Sequence, residues 1–341
     1  MKYPQQEQSR LEVTLRSATP TDVPVLFELI QALAEYEKLS HAVVGNADAL
    51  KEHLFSSQAY IEAILAEYAG QAVGFALFFH NYSTFLTKPG IYLEDLFVLP
   101  EFRRKGIGQE IFTYLAQLAV SRDCGHLEWS VLDWNEPAIA FYRRIGAVIR
   151  DDGRICRVSG DSLIQLADTV STSTLRSVVP DDVPMLFRLI QQKAEFDKQS
   201  HALVGSAEAL QEHLFGSQIK AEAIWAEQAE QAVGFALFFY NYSTFLTKPG
   251  LFIDDWFILP DYQHQGIDKA ILTYLAQLAV SRGCGRVEWM VEVWNQQAIA
   301  FYESMGVSVL PDWRICQVSG DSLIQLAAGA SSGNINQLME K

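Results

Sequence analysis

The apolar positions of this chain follow two periods, and the whole succession of periods is written twice. Residues 21–38 place Val25, Leu26, Leu29, Ile30 and Leu33 on one face at helical spacing, with Thr21 as the expected N-cap. A strand at 11–18 precedes this helix, and NADALKEHLF (46–55) predicts a second helix capped by Asn46. Strand-like segments at 59–68 and 71–82 flank Gly70 and predict a hairpin. After an expected Pro-Gly turn, IYLEDLFVLP (91–100) reads as a strand ended by Pro100. A long helix at 106–124 and a strand at 126–134 follow. The series closes with a helix at 135–146, capped by Asn135 and ended by Gly146, and a last strand at 154–160.

The same series recurs 160 residues later, without a gap from about residue 14 to residue 327. Residues 71–90 and 231–250 agree at 19 of 20 positions. A period this long means duplicated domains rather than a solenoid of short units. The expected domains are 1–170 and 171–341, joined by the polar stretch DTVSTSTLRS (168–177). Strands alternating with helices predict an α/β fold with a mixed sheet, and the long apolar strands call for helices on both faces.

Composition narrows the function classes. At 341 residues and 49% apolar, the chain can fill two cores. It has no uncharged apolar run of 18 residues, and MKYPQQEQSRLEV has no hydrophobic segment of a secretory signal, so a cytoplasmic location is expected. Cys124, Cys156, Cys284 and Cys316 form no CxxC or zinc-like spacing, so no metal is expected and the thiols read as reduced core residues. Residues 1–170 hold 15 basic and 22 acidic side chains, a charge of −7 that leaves −8 of the total −15 for the second half. Two acidic halves argue against nucleic acid or an anionic membrane as partner and are compatible with a small cationic one.

One loop carries candidate chemistry. After strand 91–99 and Pro100 comes Arg103-Arg104-Lys105-Gly106-Ile107-Gly108 and then a helix. Glycines at a helix N-terminus let several backbone N–H groups approach an anion, and three cations reinforce them, which suits phosphate. The loop lacks the third glycine of a dinucleotide fingerprint and the GK[ST] end of a nucleotide P-loop. Alone, the same loop could be a tight turn with a solvated basic rim.

The motif R-x-x-G-x-G after a strand, followed by W-N-x-x-A-x-x-F-Y, resembles the GNAT superfamily of acetyl-CoA-dependent N-acetyltransferases. AEYEKLS (34–40), NYST (81–84), IYLED (91–95), LDWN (132–135) and FYRRIGA (141–147) are similar to the spermidine/spermine and thialysine N-acetyltransferases, nearer the second. The resemblance covers residues 12–160. It implies two tandem GNAT-like domains, each a mixed, mostly antiparallel twisted sheet with helices on both faces. It implies acetyl-CoA as co-substrate and a small primary amine as acceptor: a polyamine, a diamine, or an amino acid like lysine or ornithine. Residue by residue it implies that Leu96, Phe97 and Val98 hold the acetyl carbonyl and pantetheine arm. Arg103, Arg104, Lys105, Gly106, Ile107, Gly108 and Gln109 would cradle the pyrophosphate, and Asn135 would contact the cofactor near the thioester. Glu94 would act as base and Tyr142 as acid, with Tyr36, Glu37, Asp95, Glu128, Trp129 and Ser130 lining the amine site. Such a transfer is direct and coherent: an alkyl ammonium must lose a proton before it attacks, and a thiolate leaving group benefits from an acid.

The second copy keeps Asn295 and Tyr302 but changes the loop. RRKGIG (103–108) becomes QHQGID (263–268), and Glu94 becomes Asp254. Residues 95–110 and 255–270 differ at 10 of 16 positions, residues 111–126 and 271–286 at only 3 of 16. Asp268 would place a carboxylate where phosphate oxygens belong, a repulsion of about 4 kcal/mol at roughly 4 Å before screening. One working acetyl-CoA site per chain is therefore expected, in the first copy. Because the resembled family works as a homodimer, the fused copies are expected to form an intrachain pseudo-dimer, with a further homodimer open. The resemblance also suggests that Trp313, whose counterpart is Gly153, is lent to the amine site of the first copy.

Overall fold

The computed structural model describes residues 13–57, 59–169, 174–229 and 231–329. The first copy runs β1 (Val13–Ser17), α1 (Val23–Tyr36), α2 (Ala47–Phe55), β2 (Glu62–Tyr68), β3 (Gln71–Ser83), β4 (Lys88–Val98), α3 (Ile107–Ser121), β5 (His126–Leu132), α4 (Glu136–Arg144), β6 (Val148–Arg150), β7 (Gly153–Ser159) and α5 (Gly160–Ala167). The second repeats it as β8 (Thr174–Ser177), α6 (Val183–Phe196), α7 (Ala207–Phe215), β9 (Glu222–Gln228), β10 (Gln231–Ser243), β11 (Lys248–Ile258), α8 (Ile267–Ser281), β12 (Arg286–Glu292), α9 (Gln296–Ser304), β13 (Ser308–Leu310), β14 (Trp313–Ser319) and α10 (Gly320–Ala327). No helix among the described residues is long and apolar enough to cross a membrane.

Two seven-stranded sheets result, and each borrows a strand. Their orders are β1-β2-β3-β4-β5-β14-β6 and β13-β7-β12-β11-β10-β9-β8. Among the described residues only β4 with β5 and β11 with β12 run parallel. β7 of the first copy pairs with β12 along all seven residues, and β14 pairs with β5 in the same way. The following helices cross too, so that the Gln117 side chain of α3 donates to Ala327 O of α10 and Gln277 of α8 to Ala167 O of α5. The chain crosses over at Asp151-Asp152, where β6 stays in its own sheet and β7 leaves it. The last strand at 154–160 therefore exists, but in the other copy's sheet. The sequence cannot separate the two placements by pattern, because HLEWSVL (126–132) and RVEWMVE (286–292) offer nearly the same docking strand.

Burial alternates along the strands and sends side chains to two layers. Leu65, Phe75 and Leu77 meet α1 and α2, and this layer is continuous with Trp225, Phe235 and Leu237 under α6 and α7, giving one core shared by both copies. Ile64, Ala76 and Phe78 face the opposite way, towards α3, α4 and the borrowed α10. The mirrored layer lies under α8, α9 and α5.

Several local expectations need correction. Thr21 is not the cap of the first helix: Asp22 accepts from the Thr19 N–H and hydroxyl, closing a short 3-10 turn that leads into α1. Asn46 does cap α2, accepting from Ala49 N at 2.9 Å. Pro89-Gly90 is not a turn but the start of β4; the turn is Thr84–Thr87, with Thr87 at φ +44°. Gly90 is required there by close approach, since a Cβ would stand 2.3 Å from the His126 ring and 2.4 Å from Asn81 Oδ1. Residues 11–12 of the first strand and 170–173 of the linker lie outside the described residues, and β8 begins within the linker at Thr174.

Candidate active site

The site grows from a parting of strands. β4 and β5 pair only at Ile91–Leu127, Tyr92–Glu128 and Leu93–Trp129. Past Leu93 they separate, so the β4 edge from Glu94 to Val98 has no ladder partner on that side. The register with β3 slips at the same point, because Leu77 faces Asp95 and Phe78 faces Leu93, leaving Glu94 as an extra residue. Such a bulge re-aims side chains, and Glu94 and Asp95 both line the cavity that opens here. That cavity has a volume of about 1620 Å³. Leu96, Phe97 and Val98 form one wall, and Ser130, Val131 and Leu132 the other. The second copy contributes Asn241, Thr244, Phe245, Arg286, Glu288 and Trp313.

One end is formed by the loop Arg103–Gly108 and the start of α3. Arg104 at φ +61° and Gly106 at φ +91° bend the loop so that α3 starts facing the cavity. Neither glycine is demanded by protein packing: a Cβ on Gly106 meets nothing within 4 Å, and one on Gly108 only touches Phe141 at 3.7 Å. Asp268 at the matching place in α8 proves the fold tolerates a side chain. The space left by Gly108 is therefore open to a ligand that needs backbone contact, as a phosphate does. Arg103 folds inward, donating to Val98 O at 2.9 Å and lying 4.5 Å over the Tyr36 ring. Arg104 is exposed and lines the cavity, whereas Lys105 is exposed outside its lining, with Nζ 4.8 Å over the Phe102 ring and 5.8 Å over that of Tyr68. In the second copy Asp268 turns its own carboxylate onto the Lys269 N–H at 2.8 Å, spending a donor of the helix start.

The other end is acidic and largely unneutralised. Burial, then the charge of Glu94, pushes Glu37 up to about 7. Burial also raises Asp95, opposed by a hydrogen bond from Thr244. Glu128 is raised to about 7 by burial and by Asp254, with Asn81 and Gln317 donating to it at 3.4 and 3.1 Å. Burial raises Glu94 as well, but the guanidinium of Arg286, 3.2 Å away, pulls it back. Arg286 also pairs with Glu288 at 2.9 Å, and Glu288 with Arg157, so a buried chain of charge runs Arg157–Glu288–Arg286–Glu94. Although burial opposes it, the two arginines hold Glu288 below its ordinary range. The equivalents of these arginines in the other half are Gln317 and His126, which is why Glu128 and Glu288 titrate in opposite directions.

The remaining expected residues fall into place unevenly. Tyr142 packs on Trp129 and Phe112 with ring centroids 5.0 and 5.6 Å apart and lines the cavity; burial raises its hydroxyl. Trp129 alternates away from Glu128 and Ser130 into the layer beneath Tyr142, 2% exposed, and touches the cavity from there. Asn135 caps α4 through Ala138 N and accepts from the Tyr36 hydroxyl, both at 3.4 Å, which ties the two walls. Trp313 lines the cavity at the head of the borrowed strand, paired with Leu132. On the other side its counterpart Gly153 lies under Met290, whose Cε stands 2.6 Å from where a Cβ would be. Arg286, Arg157 and Thr244 were not foreseen, although the change of His126 to Arg286 at the 160-residue offset was visible.

The chain belongs to the acetyltransferase (GNAT) family, whose model matches residues 28–147 and again 189–307. An L-ornithine N5-acetyltransferase of Arabidopsis thaliana is 33% identical over 199 residues, spanning 45% of this chain and 87% of that protein. A thialysine N-epsilon-acetyltransferase of Bos taurus is 35% identical over 166 residues, spanning 46% and 97%. Each match has about the length of one copy. Among solved structures, a GCN5-related N-acetyltransferase from Sphaerobacter thermophilus has the same fold across both copies, with TM-score 0.53 at 16% identity over 91% of this chain and 96% of that one. The chain is thus an acyltransferase built as a tandem repeat of GNAT domains.

Proposed function

We propose that this chain moves an acetyl group from acetyl-CoA to a small primary amine at a single site in residues 1–170, while residues 171–341 carry a degenerate acetyl-CoA site and complete the first. The observation that carries the reading is the two-ended cavity, with a glycine-opened helix start at one end and four carboxylates, the buried Asp95 and the half-buried Glu37, Glu94 and Glu128, at the other. The relatives named for ornithine and thialysine acetylation support an amine on a short alkyl chain.

Acetyl-CoA, when bound, supplies the acyl group as a thioester. Gly106 to Gln109, with Arg103 to Lys105, would hold its pyrophosphate, and the unpaired β4 edge at Leu96 to Val98 its pantetheine arm. Glu94 takes the proton from the amine nitrogen, directly or through a water. Its raised affinity for protons suits it to that task near neutral pH. Tyr142 Oη holds the proton that the departing sulfur takes. A covalent cysteine step is disfavoured, because all four thiols are buried and burial pushes them up, Cys124 to about 11 and the others to about 12.

The test is thiol release from acetyl-CoA with a panel of diamines and basic amino acids, on wild type and on Tyr142→Phe. Turnover in wild type and a kcat lower by about 10²-fold in the variant are expected. No release with any amine removes the enzymatic reading of this site.

A further inference from the structure

The second copy contains a cation where the first has none. Position 33 is leucine in α1, and its counterpart in α6 is Lys193. Lys193 Nζ lies 2.6 Å from Asp197 Oδ2 and 3.0 Å from Asp255 Oδ1. It also lies 5.5 Å over the ring of Phe85, which the first copy inserts across the boundary. Burial works against that charge, but Asp255 and Asp197 outweigh it and hold the ammonium above its ordinary value. Two carboxylates and an aromatic face are a complete seat for an alkyl ammonium.

The first copy has the same frame without the occupant. Asp197, Asp255 and Phe85 correspond to Glu37, Asp95 and Phe245, and these three line the cavity beside Leu33. Asp95 is 8% exposed, and its Oδ2 has no hydrogen-bond partner. No basic side chain forms an ion pair with Glu37 or Asp95 among the described residues. A buried carboxylate without its cation is costly, so this frame is incomplete as it stands.

We propose that Lys193 is a tethered ammonium that fills the amine seat of the second copy, and that it marks the seat of the substrate ammonium in the first, between Glu37 and Asp95 and against Phe245. The occupant is itself an unbranched butylammonium. The seat therefore takes the end of a linear alkylammonium, as in an α,ω-diamine or a lysine-like side chain, and rejects branched or aromatic amines. The second copy is closed to amines by its own lysine as well as to acetyl-CoA by Asp268. This inference rests on the amine reading of the cavity, but its test does not need turnover.

Binding of 1,5-diaminopentane to the full chain is measured by calorimetry without acetyl-CoA. Wild type should bind one equivalent, and Leu33→Lys should weaken that binding at least tenfold while leaving acetyl-CoA affinity within twofold. Leu33→Met, of similar length and uncharged, should keep diamine affinity within threefold. Lys193→Met should raise the stoichiometry towards two. Diamine binding in Leu33→Lys as tight as in wild type, or no diamine binding by wild type, overturns the seat. An unchanged stoichiometry in Lys193→Met overturns the plug, and this variant serves if Leu33→Lys does not fold. Wild type that binds the diamine yet releases no thiol leaves the seat standing and removes only the acetylation reading.

Discussion

Arg286 Nη2 lies 3.2 Å from Glu94 Oε1, so the carboxylate proposed as base in the first copy is held by an arginine of the second. Arg286 is buried and Glu94 largely so, and Arg286 also binds Glu288 and the carbonyl of Tyr242. The arrangement fixes the direction of Glu94 and limits how far burial can raise it. Removing one partner of a buried pair costs about 3–5 kcal/mol. Arg286→Met should therefore lower Tm by several degrees. It should also move the acid limb of the pH–rate profile upwards, because Glu94 loses its counter-charge. An unshifted profile in a folded variant would separate Arg286 from the base.

The pH dependence of activity and of stability should run in opposite directions. Glu37 and Glu128 sit near 7, above the ordinary carboxylate value of 4.5. The folded state therefore holds their protons more tightly than the unfolded chain, so their contribution to stability is present below about pH 4.5 and is lost as pH rises through 7. On the order of 3 kcal/mol is at stake for the two together, given that the cavity partly solvates them. The amine seat and the base need the ionised forms, so kcat/KM should climb between pH 6 and 8 while Tm falls. Differential scanning fluorimetry and initial rates on the same buffers check both signs.

Gly108→Asp transplants the residue of the second copy into the first. The fold should be unaffected, since α8 carries Asp268 in its first turn. Acetyl-CoA affinity should fall at least tenfold, a modest share of the about 4 kcal/mol repulsion expected before screening. Calorimetric titration reads it, and in wild type the same titration should give one equivalent per chain. Two equal sites would refute the asymmetry.

Trp313 tests whether the borrowed strand takes part in recognition. Trp313→Ala removes cavity wall contributed by the second copy. KM for the amine should rise about tenfold with kcat little changed. An unchanged KM would reduce Trp313 to a packing residue.

Much of this was legible because periodicity and duplication are strong local signals. The helices at Val23–Tyr36 and Ile107–Ser121, the hairpin around Gly70, and the caps Asn46 and Asn135 follow from spacing and capping chemistry. The phosphate-type loop and the acidic strand lay in motifs of adjacent residues. What the sequence hid depends on partners far away in it. The place of β7 is decided by which of two near-identical strands it pairs with. Lys193 reads as an ordinary helix residue until Asp255, 62 positions on, is seen beside it. The bulge that turns Glu94 and Asp95 to one cavity is a register event between β3 and β4, which neither strand announces alone.

The crossing at Asp151-Asp152 has a consequence for how the two copies could drift apart. Each half closes its sheet with the other's last strand, so neither can be deleted or allowed to unfold without opening its twin. A copy whose loops diverge thus still answers for its neighbour's shape. It is free to change the loop before α8 and to carry Lys193 or Arg286, but not to lose the strands and helices that its sibling leans on. The lopsidedness of the pair, a constant frame around divergent chemistry, is the pattern such mutual dependence leaves behind.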